Sequence, residues 1–279
     1  MKIKYTNKYN LPENLASAIK KDDYDNPDGV ISATTLIDDP YRYALAQSVN
    51  EVTEDVSEGL WRLLGHATHE VLERSGQGIR ETRFYAEHKG LRLSGKPDVY
   101  MFDTKTIEDW KITSKYTVRF GRYKPEWEKQ LNVLAWLLKQ NGQKVESLRI
   151  HAILRDFLQS DAHKHDFPDC PFISFDIPLW SDEQAESYIT ERVELFKHYI
   201  SRPVFDLPVC SPEARWNSGN IYKIYGANKT RSLKNFDDLE EAEQYAQGKN
   251  VEVVKVEGDD KRCLQYCNLK EACRHGKHL

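Results

Sequence analysis

The stretch that most restricts the fold is Ser94-Gly95-Lys96-Pro97-Asp98, followed after ten residues by Asp109-Trp110-Lys111. Residues 90–102 and the run Ile107-Glu108-Asp109-Trp110-Lys111-Ile112 read as two strands, joined through the turn-like Asp103-Thr104-Lys105-Thr106. A carboxylate in a half-buried strand is costly unless it is paired or bound to a metal. Antiparallel pairing of these strands gathers Asp98, Asp109 and Lys111 at their ends. Strand alternation sets Asp109 and Lys111 on one side and Trp110 on the other, toward the core. Two hard oxygen donors suit Mg²⁺ or Mn²⁺. Lys111 then lies where it can hold an attacking water or stabilise charge on a phosphate. Such a site suits metal-assisted hydrolysis of a phosphodiester.

The surrounding chain reads as α/β. Residues 51–74 place Leu60, Leu63, Leu64, Ala67, Val71 and Leu72 near one face of a helix. Residues 79–87 read as a strand, and residues 125–140 as an amphipathic helix with Pro125 at its first position. Residues 147–157 and 171–180 look like buried strands, and Ser181 is an N-cap for a helix with acids in its first turn. Residues 217–260 resemble a small insert: a hairpin, an acidic helix and a further strand. The expected organisation is an N-terminal helical or irregular segment (1–50) and a core of mixed central sheet flanked by helices (51–210). A small α+β insert (211–260) and a cysteine-bearing segment packed on the core (261–279) complete it.

Composition excludes several classes. The longest apolar run, Leu131 to Leu138, is broken by Asn132 and falls far short of the ~20 residues of a membrane span. The opening residues carry no apolar signal region. The net charge of −4 gives no global sign of a nucleic-acid partner, but it is unevenly spread. Residues 11–60 hold eleven acids against three bases, whereas 111–129 and 261–279 each carry a local excess of four positive charges. A chain segregated in this way can bind a polyanion on one face.

Pro97-Asp98 and Asp109-x-Lys111 together resemble the PD-(D/E)XK nuclease signature. Upstream, Gly65-x-x-x-His69 is similar to the histidine motif of the RecB-like members. Downstream, Gln130 resembles their glutamine motif, with Leu134 where a tyrosine is usual. The resemblance spans residues 65–130 and implies a restriction-endonuclease-like core. It also implies that His69, Asp98, Asp109 and the backbone carbonyl of Ile112 hold the metal, that Lys111 orients the nucleophile, and that Gln130 positions DNA or the lysine. Glu73, one helical turn after His69, and Glu81 are further carboxylates for this metal or a second one.

Five cysteines, three of them within the last seventeen residues, make a poor disulfide framework and a better cage in a reducing cytosol. Cys263, Cys267 and Cys273 need a fourth ligand to close a structural site, and Cys210, just before the insert, is the natural candidate. The tail resembles the iron–sulfur branch of RecB-like nucleases, the AddB-like and CRISPR-associated exonucleases. That branch places its first cysteine near the N-terminus, where this chain has Asp38-Asp39-Pro40. A 4Fe–4S cluster is the expected cofactor and Zn²⁺ its alternative. His163-Lys164-His165, near Cys170, reads as a solvated loop.

Lys115, Arg119, Arg122 and Lys124 follow Lys111, interleaved with Tyr116, Phe120, Tyr123 and Trp127. Cations track phosphates and aromatic faces stack unpaired bases, so this segment is the expected DNA contact. The resulting expectation is a cytoplasmic, metal-dependent DNA exonuclease of a bacterial or phage-infected cell. By resemblance it is like the phage recombination nucleases that work beside a single-strand annealing protein. A structure-specific endonuclease with the same core, and a catalytically retired cluster-bearing DNA-binding module, are the alternatives.

Overall fold

Alternating apolar side chains, a proline at a helix start and serine and aspartate caps locate most elements of the computed structural model. It describes residues 1–21, 27, 29–75, 79–80 and 82–279, the side chains of Glu73, Ser75, Ile79 and Arg80 excepted. The order is β1 (Lys2–Thr6), α1 (Glu13–Lys20), β2 (Val30–Ser32), α2 (Ala33–Ile37), α3 (Pro40–Ser48), β3 (Glu51–Asp55) and α4 (Leu60–Ser75). Then come β4 (Ile79–Arg80), β5 (Phe84–His88), β6 (Leu91–Gly95), β7 (Val99–Met101), β8 (Thr106–Thr113), α5 (Pro125–Gln140), β9 (Ser147–Leu154), β10 (Phe172–Ile177) and α6 (Asp182–Ile200). The chain ends with β11 (Ile221–Gly226), β12 (Lys234–Phe236), α7 (Leu239–Ala246), β13 (Val251–Val256) and α8 (Lys261–Gln265).

The architecture is mixed α/β. The central sheet runs β10-β9-β8-β7-β4. Strands β8 and β9 are parallel and the other neighbours antiparallel. A parallel pair needs a long crossover, and α5 supplies it. This helix is buried along most of its length, from Trp127 through Leu138, because it touches both the central sheet and a second sheet, β2-β6-β5, as well as α2 and α6. Its one buried polar side chain, Asn132, is fully engaged: it donates to the carbonyls of Glu128 and Pro178 and accepts from the Trp180 amide. Asn132 thus ties α5 to the β10–α6 connection.

Gly95 shows why the second sheet can approach so closely. A Cβ there would stand 2.5 Å from Leu134 Cδ2 and 2.6 Å from Leu137 Cδ1, both on fully buried side chains. Overpacking of a filled core costs about 1–3 kcal/mol. Gly95→Ala is therefore expected to lower stability by that amount in urea unfolding, and an unchanged midpoint would show that α5 has room to retreat.

Three expectations are corrected. Residues 51–59 are not helical: Glu51–Asp55 pairs in parallel with β1, and Val56–Gly59 forms a tight 3₁₀ turn capped by Asp55 before α4 begins. The pairing of distant β1 with β3 overrides the local pattern. Residues 1–50, expected as helical or irregular, also carry the strands β1 and β2; β2 joins the second sheet, and Ile31, Ala33 and Leu36 enter the main core. The apolar stripe of α4 is only partly covered. Leu60, Leu64, Ala67 and Val71 are exposed, while Leu63, Gly65, Thr68, His69 and Leu72 are half-buried, Leu63 packing against Ala16, Ile19 and Val56.

Residues 217–260 close on themselves. A bridge between Asn217 and Asp260 joins the two ends of the segment, and β12-β11-β13 forms a separate antiparallel sheet covered by α7. Among the described residues no helix is long and apolar enough to cross a membrane.

Candidate active site

Antiparallel pairing of Val99 with Glu108 sets Asp98 opposite Asp109 at the junction of β7 and β8. The side chain of Asp98 accepts a hydrogen bond from the Trp110 amide at 2.8 Å, which fixes its carboxylate across the strand pair. Asp109 is 2 % exposed. Its Oδ2 lies 2.7 Å from Lys111 Nζ, yet it has no partner in hydrogen-bonding geometry. Lys111 Nζ also donates to Gln130 Oε1 at 3.2 Å, so the lysine is held between β8 and the first turns of α5. From α4, the Nδ1 of His69 reaches Asp98 Oδ2 at 3.2 Å. The turn of α4 that brings His69 to Asp98 leaves Leu60, Leu64 and Val71 facing outward.

The electrostatics match a site short of positive charge. Burial raises the Asp109 carboxyl from an ordinary 3.8 to about 6; Lys111 opposes this rise and the Asp98 charge adds to it. His69 is raised by its hydrogen bond to Asp98, against the effect of burial. Both groups therefore favour an extra positive charge in this corner. Among the described residues no three His, Cys, Asp or Glu side chains stand close enough to hold one metal ion. Mg²⁺, however, is usually held by one or two carboxylates, with waters and substrate phosphates completing its shell. Asp98 and Asp109, the latter with an orphaned buried oxygen, fit that requirement. Ile112 lies on β8 beside them; Glu81 and the side chain of Glu73 lie outside the described residues.

Trp110 does leave the Asp109 side of the sheet, but it does not enter the core. It is half-buried on the face away from α5, with its ring centroid 4.5 Å from His151 and 6.3 Å from Phe172.

The basic segment divides into inward and outward members. Lys115 is buried, with its Nζ 2.5 Å from Asp161 Oδ2. Arg119 Nε donates to Asp166 at 2.7 Å although its side chain is half-exposed. Tyr123 packs on Phe175 and donates to Glu128. Lys115 and Tyr123 are thus occupied within the fold, whereas Tyr116, Arg122 and Lys124 are exposed. Asp161 and Asp166 gave no signal in the sequence: in a polar loop they read as solvated, and only the tertiary approach of that loop pairs them. His163, Lys164 and His165 belong to the same loop; Lys164 is a second partner of Asp161.

Four cysteines distant in sequence line one cavity. Cys210, Cys263, Cys267 and Cys273 share it with Tyr41, Arg42, Arg215 and His275, and its volume is about 20 Å³. Burial pushes the Cys210 thiol far up and raises Cys263, with the neighbouring cysteines adding to both. Arg42 Nε and Arg215 Nε are buried without a hydrogen bond. Asp38 pairs with Arg42 and Arg262, and Asp39 accepts from the Ser211 amide, so Asp38-Asp39 lies directly against the Cys210 segment. Among the described residues these four cysteines do not meet at a point that would hold a metal ion as they stand. Cys170 is exposed and does not line the cavity.

No family model matches the chain, and no curated protein does. Among solved structures, the protein SSO0001 is similar at a TM-score of 0.44 and 16% identity, covering 65% of this chain and 84% of its own. A phage-related exonuclease from Haemophilus somnus 129PT is similar at a TM-score of 0.31 and 16% identity, covering 68% and 82%.

Proposed function

We propose that the chain is a divalent-metal-dependent deoxyribonuclease of the PD-(D/E)XK type, acting as an exonuclease. The observation that carries this reading is the buried Asp109 carboxylate, which burial and the Asp98 charge raise to about 6 despite the Lys111 ammonium 2.7 Å from its Oδ2, with Asp98 and His69 paired beside it. A charge buried in a strand at such cost is better explained by a cation than by packing. Asp98 and Asp109 would hold Mg²⁺ or Mn²⁺, and His69 would join them once freed from Asp98. When bound, the cation polarises a phosphoryl oxygen and lowers the pKa of a coordinated water.

The protein's own residues do the rest. Lys111, fixed by Gln130, is placed to hold the attacking water and to offset charge that develops on the phosphate. The Trp110 amide keeps the Asp98 carboxylate aimed across the strand pair. Arg122 and Lys124, exposed at the start of α5, are free to meet the DNA backbone. The cysteine-lined cavity would hold a 4Fe–4S cluster in a structural role. Its four thiols come from two separated parts of the chain, and two arginines without full hydrogen bonding suit a net negative cluster.

Metal affinity should follow the carboxyl. Because the Asp109 value is raised to about 6, the proton competes with the cation below that pH, and protonation of His69 works in the same direction. Mn²⁺ affinity measured by calorimetry is expected to fall about tenfold per pH unit below about 6; an affinity flat from pH 5 to 8 would contradict the assignment.

The functional test is incubation with end-labelled linear and covalently closed DNA in Mg²⁺ or Mn²⁺. Progressive loss of the linear form alone supports the exonuclease. Cutting of closed circles would turn the reading to an endonuclease, and no metal-dependent cleavage of either would overturn it.

A further inference from the structure

Phe120 is a large apolar side chain that the fold holds in the open. It is 55 % exposed, and its backbone sits at φ +59°, in the left-handed region that disfavours every side chain of this size. Gly121 follows at φ +66°, so two successive left-handed residues form the tip of the segment between β8 and α5. Those two elements carry Asp109, Lys111 and Gln130, which places both ends of the segment at the proposed active site.

The tip is pinned from below. Val118 is buried in the main core, Lys115 is locked to Asp161, Arg119 to Asp166, and the Phe120 amide donates to the Asp166 carbonyl at 2.9 Å. A rigid base that forces an aromatic residue outward on an unfavourable backbone points to a requirement for the ring in that place. The surroundings specify what meets it. The Arg119 and Arg122 guanidinium carbons lie 4.9 and 6.0 Å from the ring centroid. Arg122 makes no ion pair among the described residues. An apolar face between two cations complements a nucleobase between its phosphates, whereas an apolar protein surface would leave both guanidinium groups facing it.

We infer that Phe120 is the stacking platform for an unpaired terminal base of the DNA strand entering the site, with Arg122 on a flanking phosphate and Arg119, held by Asp166, steadying the ring. This assignment rests on the deoxyribonuclease reading above and adds a substrate class to it: ends carrying unpaired nucleotides are held in preference to blunt duplex ends.

The test compares wild type with Phe120→Gly, which suits the left-handed backbone and removes the ring, and with Phe120→Trp, which keeps a stacking face. Thermal melting establishes that each variant is folded. Binding is read in EDTA, where no cleavage occurs, with oligonucleotides bearing 2-aminopurine at the terminal position of either strand end. Wild type and Phe120→Trp should change the 2-aminopurine emission of one end on binding, and should favour the overhang over the blunt duplex. Phe120→Gly should lose the emission change and bind the overhang about five- to a hundredfold more weakly. Equal binding and an equal emission change in Phe120→Gly would overturn the inference, and metal-dependent cleavage by the same wild-type preparation would leave the nuclease reading standing. Wild type that neither binds nor cleaves DNA would overturn both.

Discussion

Replacing Asp109 with asparagine is expected to make the metal-free protein more stable while abolishing cleavage. The buried carboxyl, raised from 3.8 to about 6, destabilises the fold at neutral pH by an amount on the order of 2–3 kcal/mol. A group whose folded value is raised is stabilising in its protonated form, so its contribution favours the fold below the unfolded value and is lost as pH rises through about 6. The amide removes that penalty, at the cost of the ion pair with Lys111. In chelator at pH 7.5, Asp109→Asn should therefore melt several degrees above wild type, and the gap should narrow as the pH falls below about 6 and close only toward 3.8. Its metal-dependent cleavage should drop by about a thousandfold or more, the loss of several kcal/mol of transition-state stabilisation. A variant that is both less stable and active would mean that Asp109 is a packing residue. Lys111→Ala separates the two effects. It removes the cation beside Asp109 and should lower both stability and rate.

The second large effect concerns the tail. Cys210 follows α6, whereas Cys263, Cys267 and Cys273 lie beyond the 217–260 segment, so a cage joining them would clip the last residues to the core across the base of that module. Structural metal sites contribute folding energy directly. Cys210→Ser and Cys273→Ser are expected to lose bound iron, to lose several kcal/mol of stability, and to expose residues 261–279 to limited proteolysis. Cys170→Ser, outside the cavity, should match wild type. Iron content and the visible spectrum after anaerobic purification check this. A colourless wild-type protein with stoichiometric zinc would replace the cluster by zinc, and one with no metal would leave the cavity as a cluster of buried thiols.

The legible parts of the fold were those with local causes. The strand carrying Asp109 and Lys111, the proline start of α5 and the Ser181 cap of α6 appear where alternation, a fixed φ and a side-chain acceptor put them. The relation of Asp98 to Asp109 was legible as well, because a short connection between two strands leaves antiparallel pairing as the natural outcome. What could not be read were choices made by distant segments. The inward side of α4 carries His69 to Asp98 together with Leu63 and Leu72. Only part of the hydrophobic pattern that normally marks a core face is therefore covered, and Leu60, Leu64 and Val71 point to solvent. Alternation placed Trp110 opposite Asp109, but only the stacking of β9 and β10 determines what that side holds. Lys115 reads as a surface cation beside a catalytic lysine, and becomes a buried strut because Asp161 arrives from a loop 46 residues on. The convergence of Cys210 with the tail was inferred from its position flanking the insert, and the Asn217–Asp260 bridge supplies the physical reason, since it brings the two ends of that module together.

Mn²⁺ anomalous scattering from a crystal grown or soaked in that ion tests directly whether Asp98 and Asp109 hold the cation. The expected result is a peak bonded to carboxylate oxygens of both Asp98 and Asp109, with His69 turned from Asp98 toward the ion and Lys111 displaced from Asp109. A difference map with no peak between these carboxylates, or with Lys111 still paired to Asp109 and Mn²⁺ bound only elsewhere, would contradict it.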